Sequence, residues 1–359
     1  MHERIQANQA FLSNLYRRGP FQGHGLVCKP DQDPVYVGPD NDFTTSLRPV
    51  AEWVPWAVKN YQRKLDLLAA VPHDDVPTCD LSTGTHLYAA AFGCPVHRYP
   101  DSNPCALPLV STAAEADRIS EPDLWKSPSL YRVFELAEAL RRELGPEVLL
   151  GPPDKQTGFD TACLIWEKTG IYAALATDEE KDVVKRLTAK CTRLLITFMK
   201  ALRREFPTMT HTGCPGVWTP PDLAPWYSND ECGAFGTAQF EEFCLPELIE
   251  LAETFGGLGM HCCADADHQF PLFRRIPNFY AFNRVPAKCG KAGFEPMLRH
   301  LSGPEGPVHV LAWLPDATVE TLIQTAPPGT RFIFARMGGD AESARVWLER
   351  MRTLSPRQG

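Results

Sequence analysis

From about residue 50 to its end the chain alternates short apolar runs with amphipathic stretches, and this alternation restricts its fold more than any other feature. Short runs of apolar, β-branched and aromatic residues read as buried strands, and apolar residues spaced three and four apart read as helices. The pattern predicts a helix over Val50–Leu68, a strand over Val76–Leu81, a helix over Thr85–Phe92, a short strand over Pro95–Tyr99 and a helix over Ser129–Leu144. It continues with a strand over Val148–Gly151, a helix over Thr161–Trp166, and a long helix reaching about Phe206. That helix is opened by Thr177-Asp-Glu-Glu180, whose spacing is that of a capping box. A strand near Met209–Val217, a helix over Thr237–Phe255, and strands over Gly257–Cys262 and Phe279–Phe282 follow. The chain closes with the strand His309–Trp313, a helix over Thr318–Thr325, the strand Arg331–Ala335 and a helix over Ala341–Leu354. Parallel strands need crossover connections, and helices supply them, so this order predicts an α/β protein with a parallel sheet. The most economical closed form is a (β/α)8 TIM barrel, which places functional groups at the C-terminal ends of the strands.

Composition sets the remaining bounds. The 33 prolines fall between apolar runs instead of forming one tract, which suits short loops between many elements, and no internal repeat or linker interrupts the pattern. Residues 51–359 are therefore expected to form a single barrel domain. Residues 1–50 are expected to form an irregular N-terminal extension or cap, with turns at Pro30-Asp-Gln-Asp-Pro34 and Gly38-Pro-Asp-Asn-Asp42. The formal charge of −8 with dispersed Lys and Arg offers no basic stripe for nucleic acid and no polybasic membrane anchor. No apolar window is long enough for a membrane span, and the N-terminus lacks the pattern of a secretory or transit leader. Twelve scattered cysteines fit free thiols in a reducing compartment, so a cytoplasmic location is expected.

The richest set of chemical groups ends one apolar run, at Gly257-Leu-Gly-Met-His261-Cys262-Cys263-Ala-Asp265-Ala-Asp-His268. On an extended backbone His261 and Cys263 leave the same face and can converge on a borderline-soft cation such as zinc, while Cys262 points the other way into packing. The plain alternative is a buried thiol beside a hydrogen-bonded histidine. Asp265 or His268 can orient the imidazole, and Asp265 can equally cap a helix. Asp80 closes another predicted strand, where its carboxylate can stabilise developing positive charge or cap the next helix. Trp226, Tyr227, Asp230 and Glu231 form a further polar strand end, readable as a substrate wall with proton-relaying carboxylates or as a solvated loop. His24, within Gly23-His24-Gly25, reads as a mouth residue or a surface turn. Arg336 can grip a substrate carboxylate or pair with a structural acid.

These segments occur in an ordered series: Asp80-Leu-Ser-Thr-Gly84 through Ala91-Phe-Gly-Cys-Pro95, Gly151-Pro-Pro, Pro225-Trp-Tyr-Ser-Asn-Asp230-Glu231 before Phe240-Glu-Glu-Phe-Cys-Leu-Pro246, Gly259-Met-His261-Cys262-Cys263, and His309-Val-Leu-Ala-Trp313-Leu-Pro315. The series, over residues 75–352, resembles the uroporphyrinogen decarboxylase superfamily, which includes zinc-dependent methyltransferases acting with corrinoid proteins. The resemblance implies a barrel enzyme. It implies a methyltransferase with zinc on His261 and Cys263, a small-molecule substrate and a corrinoid carried by a partner protein, with a homodimer left open. The alternatives are a decarboxylase of a pyrrole or other aromatic acid using Asp80, and a ligand-binding barrel without catalysis. Two departures stand out. The methyltransferases take a further cysteine from the last strand, where this chain reads Ala335-Arg336-Met337-Gly338, leaving Glu231, Cys232 and Cys289 as candidate third ligands. The decarboxylases carry an Arg-Gln-Ala-Gly-Arg segment near the N-terminus and a histidine on the last strand, and neither is present here.

Overall fold

The computed structural model describes residues 1–31, 42–100, 102–285 and 294–358. Its strands are β1 (Gly25–Lys29), β2 (Cys79–Asp80), β3 (Val96–His97), β4 (Cys105–Ala106), β5 (Leu150–Gly151), β6 (Trp226–Ser228), β7 (Leu258–Cys262), β8 (Phe279–Arg284), β9 (Val308–Ala312) and β10 (Phe332–Met337). Six of them form one sheet in the order β1-β10-β9-β8-β7-β6, and every pairing in it is parallel. β2 and β5 form a separate parallel pair, and β3 and β4 a small antiparallel hairpin.

The ladder is not closed. Between the six-stranded sheet and the β2-β5 pair run extended segments that carry single hydrogen bonds. Asp74 N–H donates to Leu26 O, Thr210 N–H to Leu150 O, Trp226 N–H to His211 O, and Ser228 N–H to Lys155 O. The strand expected over Met209–Val217 is one such segment, because Gly213, Pro215 and Gly216 remove the regular donors and dihedrals that a ladder needs.

Period-two alternation sorts the strand residues onto two faces. Leu26 and Cys28, Phe332 and Phe334, and Leu258, Met260 and Cys262 pack outward in one large core beneath the helices. Val27, Ile333, Ala335, Val310 and Ala281 face a second, inner core. Burial on both faces explains why the strand sequences run nearly continuously apolar. The outer layer includes the helices Val54–Ala70, Pro128–Leu144, Lys181–Glu205, Leu245–Phe255 and Ala341–Leu354, all close to the predicted ranges. The long helix begins later than expected: Glu180 is its N-cap without a side-chain bond, and Thr177 instead donates its hydroxyl to Ala173 O.

The N-terminal region departs most from expectation. Residues His2–Tyr16 form a helix whose Phe11, Leu12, Leu15 and Tyr16 enter the inner core at the N-terminal ends of the strands. β1 then pairs with β10 from Gly25↔Ile333 to Lys29↔Met337. The sheet thus crosses the boundary drawn at residue 50, and the segment expected to be irregular contributes one of its strands. The first expected turn lies mostly outside the described residues, as does all of the second except Asp42. No helix among the described residues is long and apolar enough to cross a membrane.

His24 stands just before β1, at the opposite end of the sheet from the strand C-termini. It packs edge-on against Phe332 and Phe334, and its Nδ1 accepts the Phe332 N–H at 3.3 Å. It is therefore an element of the sheet's lower edge and not of any mouth. Burial, with Arg331 nearby, pushes the His24 imidazole down to about 4. The unfolded chain takes up this proton first, so the stability His24 contributes is complete above its ordinary value of 6.5 and is lost as pH falls toward 4. We expect His24→Gln to flatten the acid limb of the stability profile by up to about 3 kcal/mol at pH 4 relative to the parent chain. Urea unfolding at several pH values measures this, and parallel profiles would contradict it.

Candidate functional site

The register across three neighbouring strands builds the site. Ser228 of β6 lies opposite His261 of β7, and His261 lies opposite Asn283 of β8, so one row of polar side chains crosses the C-terminal end of the sheet on its inner face. His261 Nδ1 and Asn283 Oδ1 are 2.6 Å apart. Asn283 Nδ2 donates to Val310 O at 2.5 Å, and a carbonyl can only accept, so the amide's oxygen must be the atom that faces His261. Nδ1 therefore carries a hydrogen and donates it. Nε2 is left as the atom that faces Asp230, at 3.7 Å from its Oδ1. Asp230 Oδ1 also accepts the Cys263 N–H at 2.7 Å. Asp230, His261 and Cys263 present one ligand atom each, all within 4.8 Å of one another.

The expectation for Cys262 is met. Its sulfur turns into the outer core, 3.6 Å from Cys232 Sγ. That contact also disposes of Cys232 as a ligand. Glu231 is likewise turned away, bound to Lys168 Nζ at 2.6 Å and to the Tyr172 hydroxyl. Cys289 lies outside the described residues. His268 Nε2 sits 2.9 Å from Phe235 O, so neither it nor Asp265 orients His261; Asn283 does.

Asp230 is placed from below by Asp160, which sequence reading did not single out. The Asp160 carboxylate accepts the backbone N–H groups of Asp230 at 2.6 Å and of Glu231 at 3.1 Å. Burial, and then the Asp230 charge, hold Asp160 well above the ordinary carboxylate range. At His261 burial works to lower the pKa, yet hydrogen bonds with the Cys214 and Cys263 thiols and the charge of Asp230 outweigh it and raise it well above its usual value. Cys214, on the loop before β6, also carried no signal in the sequence.

Next to this cluster is a cleft of about 250 Å³ whose walls include Asp80, Asp154, Lys155, Cys214, Trp226 and Ser228. Trp226 is wholly buried, and its indole occupies the space over Gly259, where an added Cβ would come within 2.3 Å of Cδ1. Tyr227 faces the opposite side and packs near Phe255 in the outer core, so of the two expected wall aromatics only Trp226 reaches the cleft. Asp80 reaches it too, but both its oxygens are engaged, one by buried Lys64 at 2.5 Å and the other by the Thr78 hydroxyl at 2.7 Å. Burial would raise Asp80, and the Lys64 ion pair overrides it and holds the group low. Burial pushes the Lys155 ammonium down to about 7 and Asp154 above the carboxylate range. Lys155 Nζ donates to Thr212 O at 2.7 Å.

Arg336 does not face the cleft. It alternates with the inner residue Ala335, projects to the outer side of β10, and pairs loosely with Asp316 at 3.9 Å. Of the residues expected at a site, His261, Cys263 and Asp230 come together, Trp226 and Asp80 line the adjoining cleft, and Glu231, Tyr227, His24 and Arg336 stand elsewhere.

No protein-family model matches the chain, and no curated protein matches it by sequence. Its fold is shared with a solved structure of a methyltransferase from Methanosarcina mazei, at a TM-score of 0.63 and 13% identity over 95% of this chain and 97% of that one. Oxidised and metallated forms of a homocysteine methyltransferase from Escherichia coli also align, at 16% and 14% identity over 68% of this chain and 95% and 96% of theirs. Their TM-scores of 0.32 and 0.29 are too low to bear on the fold.

Two outcomes follow from this geometry. Gly259→Ala should destabilise the chain by about 1–3 kcal/mol by driving a methyl group into the Trp226 indole, read as a fall in the denaturation midpoint. Asn283→Leu should raise the dissociation constant for zinc about 10–100-fold in competition with a chromophoric chelator, because the imidazole loses its orienting acceptor. An unchanged constant would remove Asn283 from the site.

Proposed function

We propose that the chain is a metal-dependent methyltransferase of barrel architecture, working on a small thiol or similarly soft nucleophile with a methyl group exchanged through a corrinoid on a partner protein. The observation that carries this reading is that His261, Cys263 and Asp230 each present one ligand atom, all within 4.8 Å of one another, with His261 Nδ1 tied to Asn283. One borderline nitrogen, one sulfur and one carboxylate oxygen are a donor set suited to zinc. In a tetrahedral zinc site neighbouring ligand atoms stand roughly 3.3–3.8 Å apart. The 3.7 Å between His261 and Asp230 already meets this, and the full set within 4.8 Å needs only a small contraction. A zinc ion bound there would lower the pKa of a thiol and leave it nucleophilic at neutral pH.

The chain's own residues do the rest. Asn283 holds the imidazole tautomer, and Asp160 holds the backbone that presents Asp230. Asp154, made more basic by burial, faces the adjoining cleft and is placed to take the proton the thiol gives up. In the transfer itself the sulfur forms a bond to the methyl carbon while the carbon–donor bond breaks and leaves its electron pair on the donor. The likeness in fold to a methyltransferase is consistent with this chemistry. The segments around Asp74 and at 209–212, joined to their neighbours in the sheet by single backbone hydrogen bonds, support reading the open sheet as an irregular barrel.

Decarboxylation through Asp80 is less well supported. Its two oxygens are taken by Lys64 and Thr78, and a cleft of about 250 Å³ is small for a tetrapyrrole. Purified protein supplied with methylcobalamin and a panel of small thiols should demethylate the corrinoid, read from its visible spectrum, with a thioether as product. Chelator-stripped protein and His261→Ala should each lose about 100-fold or more of that rate. A folded, zinc-loaded protein that binds thiols without turnover would instead favour the non-catalytic ligand-binding barrel.

A further inference from the structure

We propose that the cavity at the N-terminal ends of β8 and β9 is a second binding site, built for a doubly charged oxyanion of the phosphate class. It lies at the opposite end of the sheet from His261 and does not depend on the metal-site reading. The cavity has a volume of about 310 Å³, and its walls include Arg18, Arg274, Asn278, His300 and Glu305. Phe279, which opens β8, and Pro307, just before β9, also line it and fix its place below the sheet.

The basic residues here come as three adjacent pairs, and each pair is divided the same way. Arg17, Arg275 and Arg299 are exposed and bound to carboxylates, those of Asp222 at 2.8 Å, Glu241 at 2.5 Å and Glu295 at 2.5 Å. Their sequence neighbours Arg18, Arg274 and His300 line the cavity, and none of the three has an acidic partner among the described residues. Glu305 shares the wall with them but makes no ion pair. At Arg18 the guanidinium is also short of hydrogen bonds: its Nε is buried without a partner, and Nη2 reaches only Phe279 O, at 3.5 Å. Buried donors are rarely left unpaired, because the lost hydration is not repaid.

The obvious structural duty for Arg18, capping the carbonyl end of the helix His2–Tyr16, is already filled. Arg331 donates there, to Asn14 O at 3.4 Å, Leu15 O at 3.3 Å and Gly19 O at 2.5 Å. Arg331 likewise has no carboxylate partner among the described residues, and burial, then the charge of Arg18, pull its pKa below the ordinary value. Two guanidiniums close enough to repel, with no acid between them, are stabilised by an added anion. The backbone is shaped around the same cavity. Among the described residues three other than glycine have left-handed φ, Arg18 at 55°, Asn278 at 47° and Trp313 at 58°, and the first two both line it. Such conformations are uncommon for a long side chain and gather where a ligand is held. Arginine forks match the oxygen edges of a phosphate, two of them balance its two charges, and the His300 imidazole adds a donor. Ile276 and Leu301 give the cavity an apolar wall for a few attached carbons.

The test is isothermal titration of the full-length protein, with and without chelator, using inorganic phosphate, glycerol phosphate and acetate. We expect one saturable phosphate site per chain that survives chelation, with acetate bound more weakly. Arg18→Asn, which keeps a residue tolerant of left-handed backbone, and Arg274→Gln should each raise the Kd about 10-fold or more, with circular dichroism confirming the fold. Glu305→Gln should lower the Kd, and Arg275→Gln should leave it unchanged. Tighter binding of glycerol phosphate than of inorganic phosphate identifies the ligand as an ester, and equal or weaker binding identifies it as free phosphate. The proposal is overturned by the absence of saturable binding, by acetate binding as tightly as phosphate, or by a phosphate signal lost on chelation, which would report the metal centre. Binding that ignores both Arg18→Asn and Arg274→Gln, or that falls equally with Arg275→Gln, overturns it too. None of these outcomes bears on methyl transfer, so the two readings stand or fall separately.

Discussion

The two hydrogen bonds of Asn283 decide what the end of β7 can do. An amide has a donor end and an acceptor end, and the Val310 carbonyl claims the donor end. The acceptor end then has to meet His261, which must answer with an N–H, and the remaining ring nitrogen is turned toward Asp230 and Cys263. Asn283 and Val310 are both buried, so a mismatch anywhere in this chain would leave an unpaired polar group in a region without water. The orientation of the imidazole is thus set by the sheet and does not depend on the solvent-facing loops. Asp160 plays the corresponding part for Asp230, gripping two successive backbone N–H groups from a buried position.

The sheet can hold such a row because both of its faces are covered. Outward-facing Leu, Met and Phe side chains meet the helices, while inward-facing positions are small or branched: Ala281, Ala312, Ala335, Val310 and Gly259. Small inner residues near the strand ends leave room for the indole of Trp226 and for the cleft. The helix His2–Tyr16 packs four large side chains, Phe11, Leu12, Leu15 and Tyr16, against the other end. A polar row at the open end and an apolar plug at the closed end are the same design seen from two directions.

Much of this could be read from residue order. The parity of His261, Cys262 and Cys263 assigned each side chain to its face, because a strand's period of two leaves no alternative once one face is fixed. The helices and the last four strands fall near their predicted ranges for the same reason: their periodicity is long enough to tell 3.6 from 2. Tyr227 was misplaced because it is next to Trp226 in sequence but on the other face, since one residue of offset on a strand exchanges inside for outside, and Glu231 because it lies in the turn after β6, which points it to Lys168 and Tyr172. His24 and Arg336 share that fault. His24 lies at the lower edge of its strand, and Arg336 has the parity of the outer face. The N-terminal helix escaped notice because its apolar residues are mixed with Asn and Gln on a short segment, and only its burial against the strand ends gives that stripe a purpose.

Asn283 and Asp160 show where local reading ends. Neither belongs to a motif, and each acts on a residue far away in the chain, through a register or a turn that does not exist until the sheet has formed. Residue order was enough to establish an α/β protein of parallel strands and to put His261 and Cys263 on one face, because those follow from backbone periodicity. Which nitrogen of His261 faces the cluster and which acid stands beside it were decided by packing, because hydrogen-bond geometry depends on distances between strands and not along them.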